Sequence, residues 1–554
     1  MLQHFLKGTR IGDRMIPAVR RDMVRDPNST EYGAVCTPVK GFGEPSQSNY
    51  ISLLVSAYYN PHSRYYQDAS LLEDALCILN FMLRKQHPDG TIDLRETNFH
   101  CASTVGFSVQ VMAYTWRLID QKNQGTELEK SVADALYEFL RMGAEGMKHG
   151  GFHTPNHRWV LTSALSLCAN ILGDEECRKE CSLYLGEGID CDANGEYTER
   201  SAGIYNVVNN RSLIIAAEEL GMPELLEYVR RNLRMVPCYF EPDGTVFTMN
   251  STRQDSSKKL YPIAYYENYM LMACKDHDAE FSGMAEWLFD RIERMSAAAV
   301  SDYDLYQNVE IPCWLTKMQL DESLIETEVD PKTMSEEYHR FFEESGIVRD
   351  RKGNTTYTIL ANSPTFLVFQ RGTSRMSVKF GCSYYGKGQM ISPRIVPIEN
   401  GYRLEYAHSW GYTRPFANGS DTPDWRKMDH TKREHVLVKT VTLTVDVVEE
   451  NGHLALHFAS DGMDELPAKM EFTFEAGGYF QTGDIFMQTH PGEAVLLKGK
   501  TASYDYDGEV ITLTGGCMEH SYTSAMRGTE PNDPHRFTVY TTAMGQFNKT
   551  VLID

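Results

Sequence analysis

The spacing of hydrophobic residues changes once along this chain. From about residue 50 to residue 295, apolar residues recur at intervals of three and four, which is the period of amphipathic helices. After about residue 345, short segments alternate apolar and polar residues or are rich in β-branched and aromatic residues, with Gly, Asn and Asp between them. The change of period predicts a helical half followed by a β half.

Helices of similar length are predicted in series in the first half. They cover residues 48–58, 66–86, 105–121, 128–145, 157–173, 207–220, 222–233, 262–274 and 279–297, and short turns containing Gly, Asn, Asp or Pro join them. Such a series predicts antiparallel hairpins stacked into a bundle, a solenoid or a closed toroid. No strict repeat motif chooses among these three arrangements.

Strand-like segments fill the second half. They are TTYTILA, TFLVFQR, RMSVKFG, HVLVKTVTLTVDVVEE, HLALHFAS, KMEFTFEA, EVITLTG and HRFTVYTTA. Many short alternating segments with turn residues between them are typical of a β-sandwich. The predicted organisation is α+β and multidomain, with a helical domain over residues 1–325, an acidic linker over 326–345 and an antiparallel β-sandwich over 346–554.

Charge and composition exclude several classes of protein. The 554 residues carry 54 Lys and Arg against 76 Asp and Glu, a formal net charge of −22, so neither nucleic acid nor an anionic membrane is an expected partner. No segment has the apolar length of a transmembrane helix, and the N-terminal segment has no signal-peptide core. Twelve scattered cysteines are expected as reduced thiols. These features predict a soluble, cytoplasmic protein, and they leave open whether it forms a homo-oligomer.

The first candidate site lies at residues 150–159, GGFHTPNHRW, which lead directly into an apolar helix. Asn156 is expected to cap this helix, with His157 and Arg158 in its first turn. A polar cluster at a helix N-terminus can bind an anion through free backbone N–H groups and the arginine. The alternative is that Asn156 only caps, His157 and Arg158 face solvent, and Trp159 belongs to the core.

Three histidines in this region have the spacing of metal ligands. His149, His153 and His157 would share one face of a continuous helix. Gly150, Gly151 and a proline interrupt that helix, which disfavours zinc. No metal site or cofactor is therefore predicted, although the sequence does not exclude a structural divalent metal.

The second candidate site is the polar loop of residues 192–206, DANGEYTERSAGIYN. It carries Glu196, Glu199, Arg200 and Tyr205 just before a helix, which is more polar chemistry than a simple connection needs. A tyrosine beside a cation or a histidine can transfer a proton. The alternative is that Tyr205 packs before the helix.

Further polar and aromatic residues stand between predicted elements. Asn98 and His100 precede one helix, Arg253 follows a Pro-Asp-Gly turn, and Tyr266 lies in a tyrosine-rich helix start. In the β half, residues 402–414 mix His, Trp, Tyr and Arg. Aromatic rings with amide, imidazole and guanidinium groups are typical of carbohydrate clefts, although an aromatic core below loops explains part of the pattern.

The order of these features resembles the heparinase II/III-like polysaccharide lyases, which include alginate, oligoalginate, heparin and heparan lyases. The resemblance depends on the Asn156-His157 pair at a helix start, the Glu-x-Ser-x-x-x-Tyr motif from Glu199 to Tyr205, and a sandwich-domain histidine. It implies an N-terminal (α/α) toroid, an incomplete barrel of helical hairpins, followed by an antiparallel β-sandwich.

The resemblance also implies a reaction, β-elimination at a uronic acid. A base removes the C5 proton, the uronate carboxylate stabilises the anion, and the C4 oxygen leaves. Asn156 and His157 would meet the carboxylate, Tyr205 would act as the acid or in both proton transfers, and His408 is the expected sandwich histidine. His157 would be the base for one epimer at C5. The expected sugar contacts are Asn98, His100, Arg158, Glu199, Arg253, Tyr266 and Trp410.

The expected substrate is a uronate-containing oligosaccharide or polysaccharide. A chain of charge −22 fits short oligosaccharides and exo action better than a long polyanion. Two alternatives stay open. A helical-toroid glycoside hydrolase would need two carboxylates, for which Glu196 with Glu199, or Asp93 with Glu96, are available. A carbohydrate-binding protein would use the aromatic cleft without cleaving.

Overall fold

The computed structural model describes residues 1–37, 40–301, 304–305 and 308–554, which form two compact units. The first unit comprises Met1–Phe240 and Thr245–Met334, and the second comprises Glu241–Gly244 and Ser335–Asp554. Within the described ranges, no helix has both the length and the apolarity needed to cross a bilayer.

The first unit is helical. Its helices are α1 (Leu2–Asp22), α2 (Ser48–Tyr59), α3 (Ala69–Lys85), α4 (Ala102–Lys122), α5 (Glu127–His149), α6 (Pro155–Leu172), α7 (Glu175–Gly186), α8 (Tyr205–Leu220), α9 (Leu226–Met235), α10 (Tyr266–Asp276), α11 (Ala279–Ala298), α12 (Trp314–Leu320) and α13 (Ser323–Glu326). A short hairpin, β1 (Ile92–Leu94) and β2 (Asn98–Cys101), precedes α4.

These helices form two layers of a ring. Helices α2, α4, α6, α8 and α10 pack side by side as an inner layer, and each is followed by an outer helix, α3, α5, α7, α9 or α11. Helix α1 contacts both α2, the first inner helix, and α11, the last outer helix. The expected helical toroid is therefore confirmed. Because every inner helix follows a returning outer helix, the inner helices run in the same direction and their N-termini lie at one end of the ring.

Helix α1 is an element that the sequence pattern did not predict. It contains Gly8, Gly12 and Pro17, residues that weaken or interrupt helices. Gly8 is needed for packing, because a Cβ there would lie 2.2 Å from the Trp314 ring. Close tertiary contact with α12 thus outweighs the poor local propensity. Helices α7, α12 and α13 were also not predicted.

The second unit is built of strands. They are β3 (Glu337–Phe342), β4 (Ile347–Lys352), β5 (Thr355–Leu360), β6 (Thr365–Arg371), β7 (Ser374–Cys382), β8 (Ile395–Ile398), β9 (Gly401–Thr413), β10 (His435–Glu450), β11 (His453–Asp461), β12 (Pro467–Glu475), β13 (Tyr479–Thr482), β14 (Phe486–Gln488), β15 (Ala494–Leu496), β16 (Thr501–Tyr506), β17 (Glu509–Thr514), β18 (Arg536–Met544) and β19 (Phe547–Ile553). Strand β3 lies within the stretch predicted as a linker.

The strands form two sheets around one core. One sheet has the order β14-β13-β16-β17-β19-β11-β10-β9-β8, and the other has the order β15-β18-β12-β7-β6-β5-β4-β3. The named strand pairs are antiparallel except β15 with β18, which is parallel. Alternate residues of both sheets, such as Val378, Leu404, Val445 and Phe472, point into a shared apolar core. The predicted β-sandwich is therefore confirmed.

Candidate active site

Asn156 and Glu199 join the two candidate sites of the sequence. Asn156 is fully buried in the first turn of α6, and its Nδ2 donates to the Glu199 carboxylate at 2.8 and 3.1 Å and to Thr154 Oγ1 at 3.2 Å. Burial raises the pKa of Glu199, although the Asn156 hydrogen bond and the charge of Arg253 oppose the increase. The amide oxygen of Asn156 is buried without a described partner. Asn156 is not the helix cap that we expected, because α6 begins at Pro155 and Thr154 is the N-cap residue.

Backbone contacts hold the loop of Glu199 against the loop of residues 247–258. The backbone N–H and the hydroxyl of Thr252 both donate to the Glu199 carbonyl, at 3.1 and 3.0 Å. Buried Asp255 accepts from the Gly203 backbone N–H and from Ser251 Oγ. A Cβ at Gly203 would lie 2.7 Å from Asp255, so the close approach of the two loops requires glycine there.

Arg253 and Tyr205 meet where these loops touch. The Arg253 Nε lies 3.1 Å from Glu199 Oε1, although the N–H does not point at that oxygen closely enough for a hydrogen bond. The Arg253 guanidinium also lies over the Tyr205 ring. Tyr205, the first residue of α8, donates its hydroxyl to Gln254 Oε1 at 3.1 Å. The result is a continuous chain of contacts from Asn156 through Glu199 and Arg253 to Tyr205.

His157 is a neutral imidazole near this chain. It is 8% exposed, its Nδ1 has no described hydrogen-bond partner, and its ring is perpendicular to that of His153 at 4.9 Å between centroids. Burial, together with the smaller effects of the nearby His153 and Arg253, lowers the pKa of His157 to about 4. The imidazole is therefore unprotonated at neutral pH and can accept a proton.

Glu196 belongs to a separate buried cluster in the same loop. Its carboxylate accepts from the Tyr239 hydroxyl at 2.6 Å, and Asn250 Nδ2 donates to that hydroxyl at 3.2 Å. Burial raises the pKa of Glu196 to about 7. The second carboxylate pair considered for a hydrolase is Asp93 with Glu96. Asp93 accepts a hydrogen bond from the His100 backbone N–H and contacts the His87 ring, and exposed Glu96 forms an ion pair with Lys40.

Several predicted sugar contacts have other partners. Arg158 pairs with Glu187 and Asp190 and covers the Trp159 ring. Asn98 and His100 lie on strand β2, and a hydrogen bond of 2.7 Å joins His100 Nδ1 to Asp89 Oδ2. Tyr266 is buried, and its hydroxyl lies 3.0 Å from His4 Nδ1. These residues have no described contact with Asn156 or Tyr205.

His408 and Trp410 lie on strand β9 of the second unit. His408 Nε2 has no described hydrogen-bond partner, and the imidazole is parallel to the rings of Tyr406 and Trp410. Trp410 is 41% exposed, with the Lys387 ammonium 4.4 Å from its ring centroid. The catalytic role of His408 and the sugar contact of Trp410 stay predictions.

The three histidines with metal-ligand spacing do not share a helix. Helix α5 ends at His149, and α6 begins at Pro155, between His153 and His157. Among the described residues, no three His, Cys, Asp or Glu side chains are grouped as a metal would require.

Gln254 and Asp255 are site residues that the sequence did not single out individually. Both lie in the polar segment that follows the Pro-Asp-Gly turn near residue 243, which marked the segment as a candidate. Nothing in their spacing indicates that they contact the loop of Tyr205.

A helical toroid followed by a β-sandwich defines the structural class of the protein. The structure is similar to that of a Streptomyces coelicolor chondroitin AC lyase in complex with chondroitin sulphate, with a TM-score of 0.51, 10% identity, and 99% of this chain and 79% of that chain covered. This match confirms the resemblance in fold to the toroid-and-sandwich polysaccharide lyases, and at this identity it shows the fold alone.

Other solved structures match at lower TM-scores. A Paenibacillus xanthan lyase has a TM-score of 0.48 and 9% identity over 100% of this chain and 57% of that one. A Pedobacter heparinus heparan sulfate lyase has a TM-score of 0.47 and 11% identity over 92% and 76%. Glycoside hydrolases match at still lower scores. The sequence is similar to no protein-family model and to no curated protein.

Proposed function

We propose that the protein is a polysaccharide lyase that cleaves uronate-containing oligosaccharides by β-elimination. The observation that carries this proposal is the contact chain from Asn156 to Tyr205, which joins the two sequence motifs at the starts of neighbouring inner helices. Neutral His157 at the same helix start adds a proton acceptor. A base, an acid and a cation are the groups that elimination next to a carboxylate requires.

Each residue has a proposed task. Arg253 neutralises the substrate carboxylate as charge moves into it, and Tyr205 gives a proton to the leaving C4 oxygen. His157 removes the C5 proton for one epimer, and Tyr205 removes it for the other. Both N–H groups of Asn156 are bonded to Glu199 and Thr154, so in this arrangement Arg253 is the stronger candidate for the carboxylate. His408 stays a proposed catalytic residue.

The preferred mode is exo action on short oligosaccharides, because the net charge of −22 opposes binding of a long polyanion. The experiment is a panel of alginate, heparan, chondroitin, hyaluronan and glucuronan oligosaccharides, incubated with the protein while the ultraviolet absorbance of unsaturated uronates is recorded. Elimination creates the carbon–carbon double bond that gives an unsaturated uronate this absorbance, whereas hydrolysis creates no double bond. New reducing ends without absorbance would establish a hydrolase instead, and binding without any product would establish a binding protein.

A further inference from the structure

A cavity of about 360 Å³ lies inside the ring of helices in the first unit. Gly203 and Ile204, the two residues before Tyr205, form part of its wall, and Arg211 lies in the wall further along α8. Arg211 lies six positions after Tyr205 on the helix, a rise of about 9 Å. Asn156 and His157 are not part of the wall, so the cavity is a separate space that begins beside Tyr205.

Two cations, Arg211 and Lys317, and two carboxyl groups, Glu267 and Glu310, lie in the wall of this cavity. Arg211 Nε donates to Glu267 Oε2 at 3.1 Å, and Lys317 Nζ lies 2.8 Å from Glu267 Oε1. Burial by itself would raise the pKa of Glu267, but Lys317 and Arg211 outweigh it and lower the pKa to about 2. Glu267 is thus ionised and shared, and 28% of the Arg211 side chain stays accessible inside the ring.

The remaining wall combines apolar surface with groups that form hydrogen bonds. Trp314 and Tyr266 supply aromatic rings. Burial raises the pKa of Glu310, against the opposing charge of Arg211, and the Glu310 carboxyl group can form hydrogen bonds. The Tyr114 hydroxyl is buried and has no described partner, although the side chain lies in the wall. An unsatisfied buried hydroxyl carries a free-energy cost that a bound polar ligand can relieve. Aromatic faces with a few polar groups are the chemistry of a sugar site.

We infer that this cavity binds the terminal uronate residue of the oligosaccharide, with Arg211 and Lys317 holding its carboxylate. The inference rests on the proposed function, because it is Tyr205 that would act on the bond next to this residue. Guanidinium is suited to a carboxylate because it can donate two parallel hydrogen bonds, and the Nη groups of Arg211 make no described contact with Glu267. A chain end held inside the ring accounts for exo action.

The test is calorimetric titration of the full chain with D-glucuronate, D-mannuronate and L-guluronate, and with D-glucose as the neutral sugar. Arg211→Gln should weaken uronate binding by roughly tenfold or more, because a charge-assisted pair is lost, and should leave the weaker D-glucose binding unchanged. Arg117→Gln is the matched control. Arg117 also pairs with a buried glutamate, Glu219, and its side chain is also 28% accessible, but it is not part of the cavity wall. Equal thermal midpoints would show that both variants fold.

Val208→Phe is a second variant, which narrows the cavity without removing a charge. It should abolish binding of both kinds of sugar. Uronate binding that is unchanged in Arg211→Gln, or elimination by a protein that binds no monosaccharide, would overturn the inference while leaving the proposed lyase function intact. Uronate binding that depends on Arg211, with no elimination product on any oligosaccharide, would support the cavity site and overturn the lyase function.

Discussion

The guanidinium carbon of Arg253 lies 5.1 Å from the centroid of the Tyr205 ring. A guanidinium in this position is attracted to the negative face of the aromatic ring. The same arginine is 3.1 Å from Glu199, which in turn holds Asn156. Arg253 therefore connects Tyr205 to Asn156, which lies 49 positions earlier in the sequence.

Replacing Tyr205 by phenylalanine tests proton transfer. Tyr205→Phe should lower kcat by about 10² to 10⁴-fold with little change in KM, because only the hydroxyl is removed. The rate is followed by ultraviolet absorbance of the unsaturated product on the best oligosaccharide of the panel. Tyr137→Phe, a change at an exposed tyrosine on α5, should keep the wild-type rate. A fully active Tyr205→Phe variant would remove Tyr205 from the mechanism.

Exchanging Arg253 for lysine tests whether a planar guanidinium is needed. Arg253→Lys should reduce kcat/KM by about 10²-fold, because a lysine ammonium cannot lie over the Tyr205 ring and approach Glu199 in the same way. Arg403→Lys is the control, since Arg403 forms a bidentate pair with Asp446 on the surface of the sandwich. Steady-state kinetics of both variants on one oligosaccharide measure kcat/KM. Equal values of kcat/KM for the two variants would contradict the role of Arg253.

His157 should make the stability depend on pH. Its pKa is about 4 in the folded protein and about 6.5 in the unfolded chain, so the unfolded state binds the proton first as pH falls. Stability is fully present above pH 6.5 and is lost toward pH 4. Between pH 7 and pH 5 the wild type should lose about 2 kcal/mol more than His157→Gln.

Urea unfolding at both pH values measures this difference. His149→Gln is the control, because 77% of that side chain is exposed and its replacement should follow the wild type. Identical pH dependence of the wild type and His157→Gln would show that His157 is not held neutral by burial.

Glu267 should stabilise the interior of the ring. Glu267→Gln removes the carboxylate that pairs with both Arg211 and Lys317, so the free energy of unfolding should fall by about 3 to 5 kcal/mol. In the wild type, the contribution of Glu267 is present above its ordinary pKa and is lost as pH falls toward about 2. Denaturant unfolding measures the loss. Glu219→Gln leaves only Arg117 unpaired, so it should lower the free energy of unfolding by less. An equal decrease in the two variants would contradict the interpretation that Glu267 is shared by two cations.

The sequence by itself determined the two kinds of secondary structure and most element positions. Periods of three to four and of two depend on which side of a helix or strand meets the core, so they can be read locally. The motif at Asn156-His157 and the loop ending in Tyr205 were also identifiable, because polar groups at helix starts are a local signal.

Only the tertiary structure decided which of these residues meet. Helix α1 has a poor local helix propensity, but it forms because tertiary packing, such as that of Gly8 against the Trp314 ring, stabilises it. The contact of Arg253 with Glu199 and Tyr205, and the shared carboxylate of Glu267, join residues about 50 positions apart. Such pairings depend on how the inner helices stack around the ring, and no spacing within a single element encodes them.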